Sequence, residues 1–102
     1  MIITKVVCKD TNPYDVYIGR GSPFGNPYEI GKHGTREEVI ELYRNYLFYQ
    51  IDNYQIDFKS LLNLEGKTLG CYCPNGLPCH GYVIIEGIEY LKDKLAKREL
   101  FL

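Results

Sequence analysis

The predicted junction between the last strand and the last helix of this sequence reads Gly70-Cys71-Tyr72-Cys73-Pro74-Asn75-Gly76-Leu77-Pro78-Cys79-His80-Gly81. It holds three of the four cysteines and one of the two histidines of the 102-residue chain. An apolar run precedes it and an amphipathic helical pattern comes after it, which predicts a buried strand that leads through a loop into a helix. Proteins of the α/β class often carry their reactive or ligating side chains at such junctions. The segment therefore predicts both a fold class and the place of a functional site.

Strand and helix patterns alternate along the rest of the chain. Strands are predicted over residues 2–8, 16–18 and 67–72, and helices over 35–49, over 56–62 and from 78 onward. Thr35 and Glu38 form the capping box that opens the first helix, and turn-forming residues at 10–15 predict an antiparallel pairing of the first two strands. This order predicts one α/β domain over residues 1–102. Its sheet is expected to be short and mixed, with three or four strands flanked by helices in a Rossmann-like style.

The last predicted helix carries an apolar stripe. Ile84, Ile88, Leu91 and Leu95 recur at spacings of four, three and four residues. Such a period places all four side chains on one face of a helix, and that face is expected to pack against the core.

Composition describes an ordinary globular chain, with 45% hydrophobic residues, 25% charged residues and a net charge of −1. This charge balance gives no electrostatic footprint for nucleic acid or for an anionic membrane, so neither is expected as a partner. No secretory signal and no membrane-spanning apolar stretch is visible, which predicts a cytoplasmic protein. Disulfides rarely persist in that compartment, so four cysteines indicate a metal site or a reactive thiol. A monomer and a homo-oligomer are both compatible with the sequence.

The cysteine segment fits a metal site. Cys71, Cys73, Cys79 and His80 supply four donors, the number that tetrahedral zinc requires. The spacing is imperfect, because zinc ribbons separate their paired cysteines by two or more residues. Adjacent side chains on a helix also diverge by about 100°, so Cys79 and His80 could bind one ion only before the helix begins. Zinc is the one cofactor that the sequence predicts, as an alternative.

The same segment also fits a site at a helix N-terminus. A thiol in the first turn of a helix is a stronger nucleophile, and an anion there is held by backbone amides and the helix dipole. Cys79 is the candidate nucleophile, with Cys71 as the alternative, and His80 is the candidate general acid or base. Gly81 would let a ligand approach the backbone. A third interpretation makes the cysteines buried structural residues.

A second motif precedes the first helix and reads Gly19-Arg20-Gly21-Ser22-Pro23-Phe24-Gly25-Asn26-Pro27-Tyr28. Arg20 offers a planar two-donor fork for phosphate or carboxylate, and Ser22 and Asn26 offer directional hydrogen bonds. The alternative is an ordered loop whose polar side chains satisfy its own backbone. Across both motifs, the candidate ligand-binding residues are Arg20, Ser22, Phe24, Gly25, Asn26, Cys71 and Gly81.

Segments 16–27, 69–73 and 78–81 together resemble the small phage and bacterial proteins of family 4326 among the domains of unknown function. The resemblance spans nearly the whole chain and implies that the two motifs form one site, in a bacterial or phage-infected cell. It implies no particular activity, so the function is a hypothesis from the residues.

The leading hypothesis is a phage-type α/β protein that binds a phosphate-bearing small ligand, a nucleotide or a nucleotide-sugar. The ligand would lie between the loop at 20–26 and the helix start at 79–81, and would be sequestered or turned over. The alternative hypothesis is an interaction module held together by structural zinc, with Cys71, Cys73, Cys79 and His80 as its ligands.

Overall fold

The computed structural model describes residues 3–10, 12–71 and 79–100. Its strands are β1 (Lys5–Cys8), β2 (Val16–Tyr17) and β3 (Thr68–Cys71), and its helices are α1 (Arg36–Asp52), α2 (Phe58–Leu62) and α3 (His80–Leu100). The chain order is β1-β2-α1-α2-β3-α3, which confirms the predicted α/β class. Across the described residues, no helix combines the length and the apolar character needed to cross a bilayer.

The sheet has β3 in its centre, with β1 on one side and β2 on the other. Both outer strands run parallel to β3, with Val6 opposite Leu69 in one pair and Val16 opposite Leu69 in the other. The predicted antiparallel pairing of β1 with β2 is therefore wrong, and the three described strands form a parallel sheet rather than a mixed one. Local turn chemistry indicated a reversal after β1, but a strand from much later in the chain inserts between the two segments.

The connection between the two outer strands crosses over β3. The backbone N–H of Lys9 donates to the carbonyl of Cys71 at 2.9 Å, and that of Asp15 donates to the carbonyl of Thr68 at 2.8 Å. Between these anchors, the ring of Tyr14 covers Gly70 so closely that a Cβ atom there would lie 2.6 Å from Tyr14 Cγ. Glycine in the middle of β3 is thus required by the crossing segment.

The core lies between the opposite face of the sheet and the two long helices. Leu69 faces this core, and α3 packs against α1 beside it. The predicted stripe on α3 is confirmed, since its first three members are fully buried and Leu95 packs against the core from a partly buried position. Helix α1 runs past its predicted end to Asp52, and Ile51 in that extension is fully buried.

The capping box at the start of α1 is confirmed. Thr35 Oγ1 accepts from the backbone N–H of Glu38 at 3.3 Å, and Glu38 Oε1 accepts from the N–H of Thr35 at 2.9 Å. The hydrogen bonds from the backbone and side chain of Thr35 lower the pKa of Glu38 below its usual value. This reciprocal pair fixes where α1 begins and therefore which of its residues face the loop after β2.

Candidate functional site

A cleft of about 330 Å³ lies between the loop after β2, the first turns of α1 and the start of α3. We call it the two-arginine cleft, and it is lined by Gly19, Arg20, Asn26, Tyr28, Ile30, Arg36, Val39, Ile40, Cys79 and His80. Its volume is that of a small-molecule pocket. Both predicted motifs contribute to the lining, so the structure brings together Arg20 and Asn26 from one with Cys79 and His80 from the other.

Positive charge and apolar surface share this lining. Arg20 and Arg36 are its cationic residues, and no aspartate or glutamate is among the described residues that line it. Val39 and Ile40, on the next turn of α1, supply apolar wall. The cleft therefore suits an anion that also carries an apolar or aromatic part.

Arg20 shapes the loop that it belongs to. Its Nη1 donates to the carbonyl of Asn26 at 2.9 Å and its Nη2 donates to the carbonyl of Tyr28 at 3.2 Å. Asp15, the carboxylate nearest to it in the motif, accepts instead from the backbone N–H of Thr68 at 2.8 Å. A guanidinium has five N–H donors, so Arg20 can hold these two carbonyls and still present donors to a ligand.

Asn26 ties the loop to helix α1. Its Nδ2 donates to the carbonyl of Val39 at 3.2 Å, and its Oδ1 accepts from the backbone N–H of Tyr28 at 2.9 Å. Both polar atoms of the side chain are engaged, which places Asn26 in the cleft wall as a structural contact.

Three predicted ligand residues of this loop lie outside the lining. Ser22 Oγ donates to the carbonyl of Gly19 at 2.6 Å, and a Cβ on Gly25 would lie 2.6 Å from the same oxygen. Phe24 is buried in the core, and its carbonyl accepts from the hydroxyl of Tyr43 at 2.8 Å. The interpretation of an ordered, self-satisfied loop thus holds for these residues, while Arg20 and Asn26 still face the cleft.

His80 is held in one orientation at the base of the cleft. It is only 7% exposed, and its Nε2 lies 2.7 Å from the carbonyl oxygen of Ile18. A carbonyl only accepts, so Nε2 carries a hydrogen, and in the tautomer that this bond selects Nδ1 presents a lone pair. That Nδ1 lies 3.8 Å from Cys79 Sγ. The ring of Tyr43 meets the imidazole edge to face, with centroids 5.1 Å apart.

The buried side chain of Tyr43 contacts both motifs, at the carbonyl of Phe24 and at the ring of His80. Burial raises the pKa of its phenol, with smaller contributions in the same direction from Tyr46 and Cys79. The hydroxyl therefore remains a donor to the Phe24 carbonyl across the accessible pH range. One buried side chain thus supports both the loop and the His80 ring.

Cys71 and Gly81 lie behind the cleft. Cys71 Sγ is 2.9 Å from Cys79 Sγ and is fully buried. The N–H of Gly81 donates to Cys79 Sγ at 3.4 Å, and a Cβ on Gly81 would lie 2.7 Å from Val6 Cγ1. Gly81 therefore allows α3 to approach β1. Cys71 and Gly81 were predicted to bind the ligand, but neither lines the cleft.

The zinc alternative depends partly on Cys73, which lies outside the described residues. Within the described ranges, no group of three or more histidine, cysteine or carboxylate side chains is placed to hold a metal ion. The four-ligand site stays a prediction. Metal analysis of protein purified without chelator tests it, since zinc far below one per chain in a folded protein would reject it.

Sequence reasoning missed Arg36, Tyr28 and the apolar wall. From the sequence, Arg36 was placed only at a helix start, although one feature of the sequence could have marked it as a candidate site residue. A cation in the first turn of a helix opposes the helix dipole, and an unfavourable placement of this kind indicates another role. Tyr28 is the last residue of the second motif but was not among the predicted ligand residues, and its ring meets that of Tyr46 edge to face, with centroids 6.2 Å apart.

Comparison with known proteins places these features in context. The family described as "Domain of unknown function (DUF4326)" matches residues 4–90. An uncharacterised 12.4 kDa protein from the nrdA-td intergenic region of Enterobacteria phage T4 is 36% identical over 100 residues, which cover 96% of this chain and 90% of the phage protein. The uncharacterised protein R718 of Acanthamoeba polyphaga mimivirus is 33% identical over 89 residues, covering 71% of this chain and 65% of the viral protein. No solved structure matches the chain.

Proposed function

This chain belongs to the DUF4326 family, and we propose that it binds a phosphate-bearing small molecule, a nucleotide or a nucleotide-sugar, in the two-arginine cleft. The observation that carries the proposal is the convergence of Arg20 and Arg36 on one cleft whose described lining has no carboxylate. Two guanidinium groups that line one cleft can bind phosphate oxygens with charge-assisted, bidentate hydrogen bonds.

The remainder of the lining supports a ligand with a flat part. Tyr28 presents an aromatic ring that its neighbours hold in place, and Val39 and Ile40 offer apolar surface. A base or sugar ring packs on such surfaces while the phosphate lies between the arginines. A volume of about 330 Å³ is near the lower end of ligand pockets, which favours a single nucleotide unit over a dinucleotide.

The experiment is a thermal-shift screen with three matched arms. Nucleoside monophosphates, diphosphates and nucleotide-sugars form the first arm, the unphosphorylated nucleosides form the second, and inorganic phosphate forms the third. We expect stabilisation by the first arm that exceeds both others, because binding to the folded state raises the melting temperature. Equal stabilisation by the nucleosides, or none by any nucleotide at millimolar concentration, would contradict the proposal.

Cys79 and His80 line the same cleft, which extends the proposal from sequestration to turnover of the bound ligand. Analysis of the ligand after incubation with the protein separates the two forms. Turnover that is lost in Cys79→Ser and His80→Ala would assign these residues to the reaction, whereas an unchanged ligand indicates a binding protein.

A further inference from the structure

We propose that Cys79 and Cys71 form a redox-active dithiol, in which peroxide oxidises Cys79 and Cys71 then closes an intramolecular disulfide. The proposal goes beyond ligand binding, and it starts from one distance. The two Sγ atoms lie 2.9 Å apart. A disulfide has a bond length of about 2.05 Å, so a closing movement of less than about 1 Å joins them.

The two cysteines occupy different positions relative to the cleft. Cys79 belongs to its lining, whereas Cys71 lies behind, at the end of β3, and does not line it. Both are buried, with total exposures of 3% for Cys79 and 1% for Cys71. A small oxidant that enters the cleft therefore meets Cys79 first and finds Cys71 in position for the second step.

Two neighbouring groups suit Cys79 to be the attacking thiol. It directly precedes α3, where the helix dipole favours negative charge, and the N–H of Gly81 donates to its sulfur. His80 Nδ1, oriented by the bond from Nε2 to the Ile18 carbonyl, lies 3.8 Å from the same sulfur and can accept the thiol proton.

The chemistry balances with one peroxide and two thiols. The Cys79 thiolate attacks a peroxide oxygen, so that a sulfur–oxygen bond forms, the oxygen–oxygen bond breaks, and the leaving hydroxide takes the thiol proton to become water. Cys71 then attacks the Cys79 sulfenic acid, so that the disulfide forms and a second water leaves. Two electrons pass from the sulfur pair to peroxide, and an external thiol is the reductant that reverses the change.

Cys8 provides a matched control. It is buried and lies next to Cys71 in the parallel register of β1 and β3, but it does not line the cleft. If proximity to Cys71 alone determined the partner, Cys8 would compete with Cys79. The proposal instead requires the thiol that faces the cleft.

The test treats the reduced full chain with a small excess of hydrogen peroxide, without nucleotide, and maps its peptides under non-reducing conditions. We expect loss of two titratable thiols, a linked peptide pair containing Cys71 and Cys79, and recovery of both thiols with dithiothreitol. Cys8→Ser should give the same linked pair. In Cys71→Ser the disulfide should be lost, and dimedone should trap a sulfenic acid on Cys79.

Three results would overturn the proposal. The first is a main disulfide that joins any other pair, and the second is oxidation of Cys71 in Cys79→Ser at the wild-type rate. The third is protection of both thiols that only a chelator removes, which would assign them to a metal. If a variant fails to fold, limited alkylation of the native wild-type chain decides the order, because Cys79 must react before Cys71. A failed nucleotide screen leaves all these readouts unchanged, so the two proposals stand or fall separately.

Discussion

Arg20 and Arg36 reach the two-arginine cleft from different elements, the loop after β2 and the first turn of α1. Arg20 holds the carbonyls of Asn26 and Tyr28 with two of its five N–H groups, so the same side chain shapes the loop and faces the ligand space. Arg36 stands in the first turn of α1, directly after the N-cap. Their substitutions should therefore give different combinations of affinity and stability.

Arg36→Gln is expected to weaken nucleotide binding by about tenfold or more, because a hydrogen bond to a charged group contributes roughly 1.5–3 kcal/mol. Arg44→Gln is the matched control on the same helix, since Arg44 pairs with Glu41 and Glu86 outside the cleft. Titration calorimetry measures both variants. Equal affinity of wild type and Arg36→Gln would remove Arg36 from the site.

Arg20→Ala should lower both the nucleotide affinity and the melting temperature, because it also frees two loop carbonyls. Arg20→Lys should restore the affinity only in part, since an ammonium lacks the planar fork that reaches two acceptors. Calorimetry and thermal melts of both variants measure the two effects. A lower melting temperature with unaltered affinity would show that Arg20 serves the loop alone.

At the scale of elements, the start of α1 decides the composition of the cleft. The reciprocal bonds between Thr35 and Glu38 set the helix register, and that register turns Arg36, Val39 and Ile40 toward the loop after β2. Tyr43, two turns along, bonds to the Phe24 carbonyl and supports the His80 ring. One helix thus positions parts of both motifs.

Glu38→Ala should lower the melting temperature at neutral pH, and the gap from wild type should close in acid. The pKa of Glu38 is lowered in the folded protein by its bonds with Thr35, so its contribution to stability is fully present above the usual pKa of 4.5. That contribution is lost as the pH falls through the lowered folded-state pKa. Thermal melts at several pH values measure the gap.

Glu37→Ala is the control for this prediction. Glu37 lies in the same first turn and shares the favourable interaction with the helix dipole, but it takes no part in the capping box. A pH-dependent gap of the same size in both variants would show that the dipole, not the box, is responsible.

At the scale of the whole molecule, the crossing of the β1–β2 connection over β3 determines the topology. Parallel strands usually need a connection of a dozen residues or more, yet this short segment links β1 to β2 across the strand between them. It can do so because Gly70 has no side chain under the ring of Tyr14. The arrangement places the end of β3, and with it Cys71, beside the start of α3.

Gly70→Ala is expected to lower the melting temperature by roughly 4 °C or more, because overpacking typically costs about 1–3 kcal/mol. The new Cβ would lie 2.6 Å from Tyr14 Cγ and 3.0 Å from Tyr14 Cβ, so rotation of the ring alone does not relieve it. The double variant Gly70→Ala, Tyr14→Ala should lose less stability than the sum of the two single variants. Strict additivity in thermal melts would contradict the close crossing.

The sequence by itself determined the elements of this protein and the two segments that carry its candidate site. The signals that determined the elements are local, because each depends on residues within a few turns of one another. They are the periodic spacing of apolar residues, the capping box of Thr35 and Glu38, and the apolar stripe on α3. The site residues Arg20, Asn26, Cys79 and His80 could be predicted in the same way, since each lies in a segment that connects a strand to the next helix or, for His80, at the first residue of that helix.

Only the tertiary structure decided how these pieces meet. The parallel order β1-β3-β2, the contribution of Arg36 to the cleft and the 2.9 Å approach of Cys71 to Cys79 all join residues that no local pattern connects. The turn formers at 10–15 predicted a hairpin. The same residue types also occur in a connection that crosses over a third strand, so the local sequence does not distinguish the two. The difference lies in β3, which begins more than fifty residues after those turn formers and pairs with both outer strands.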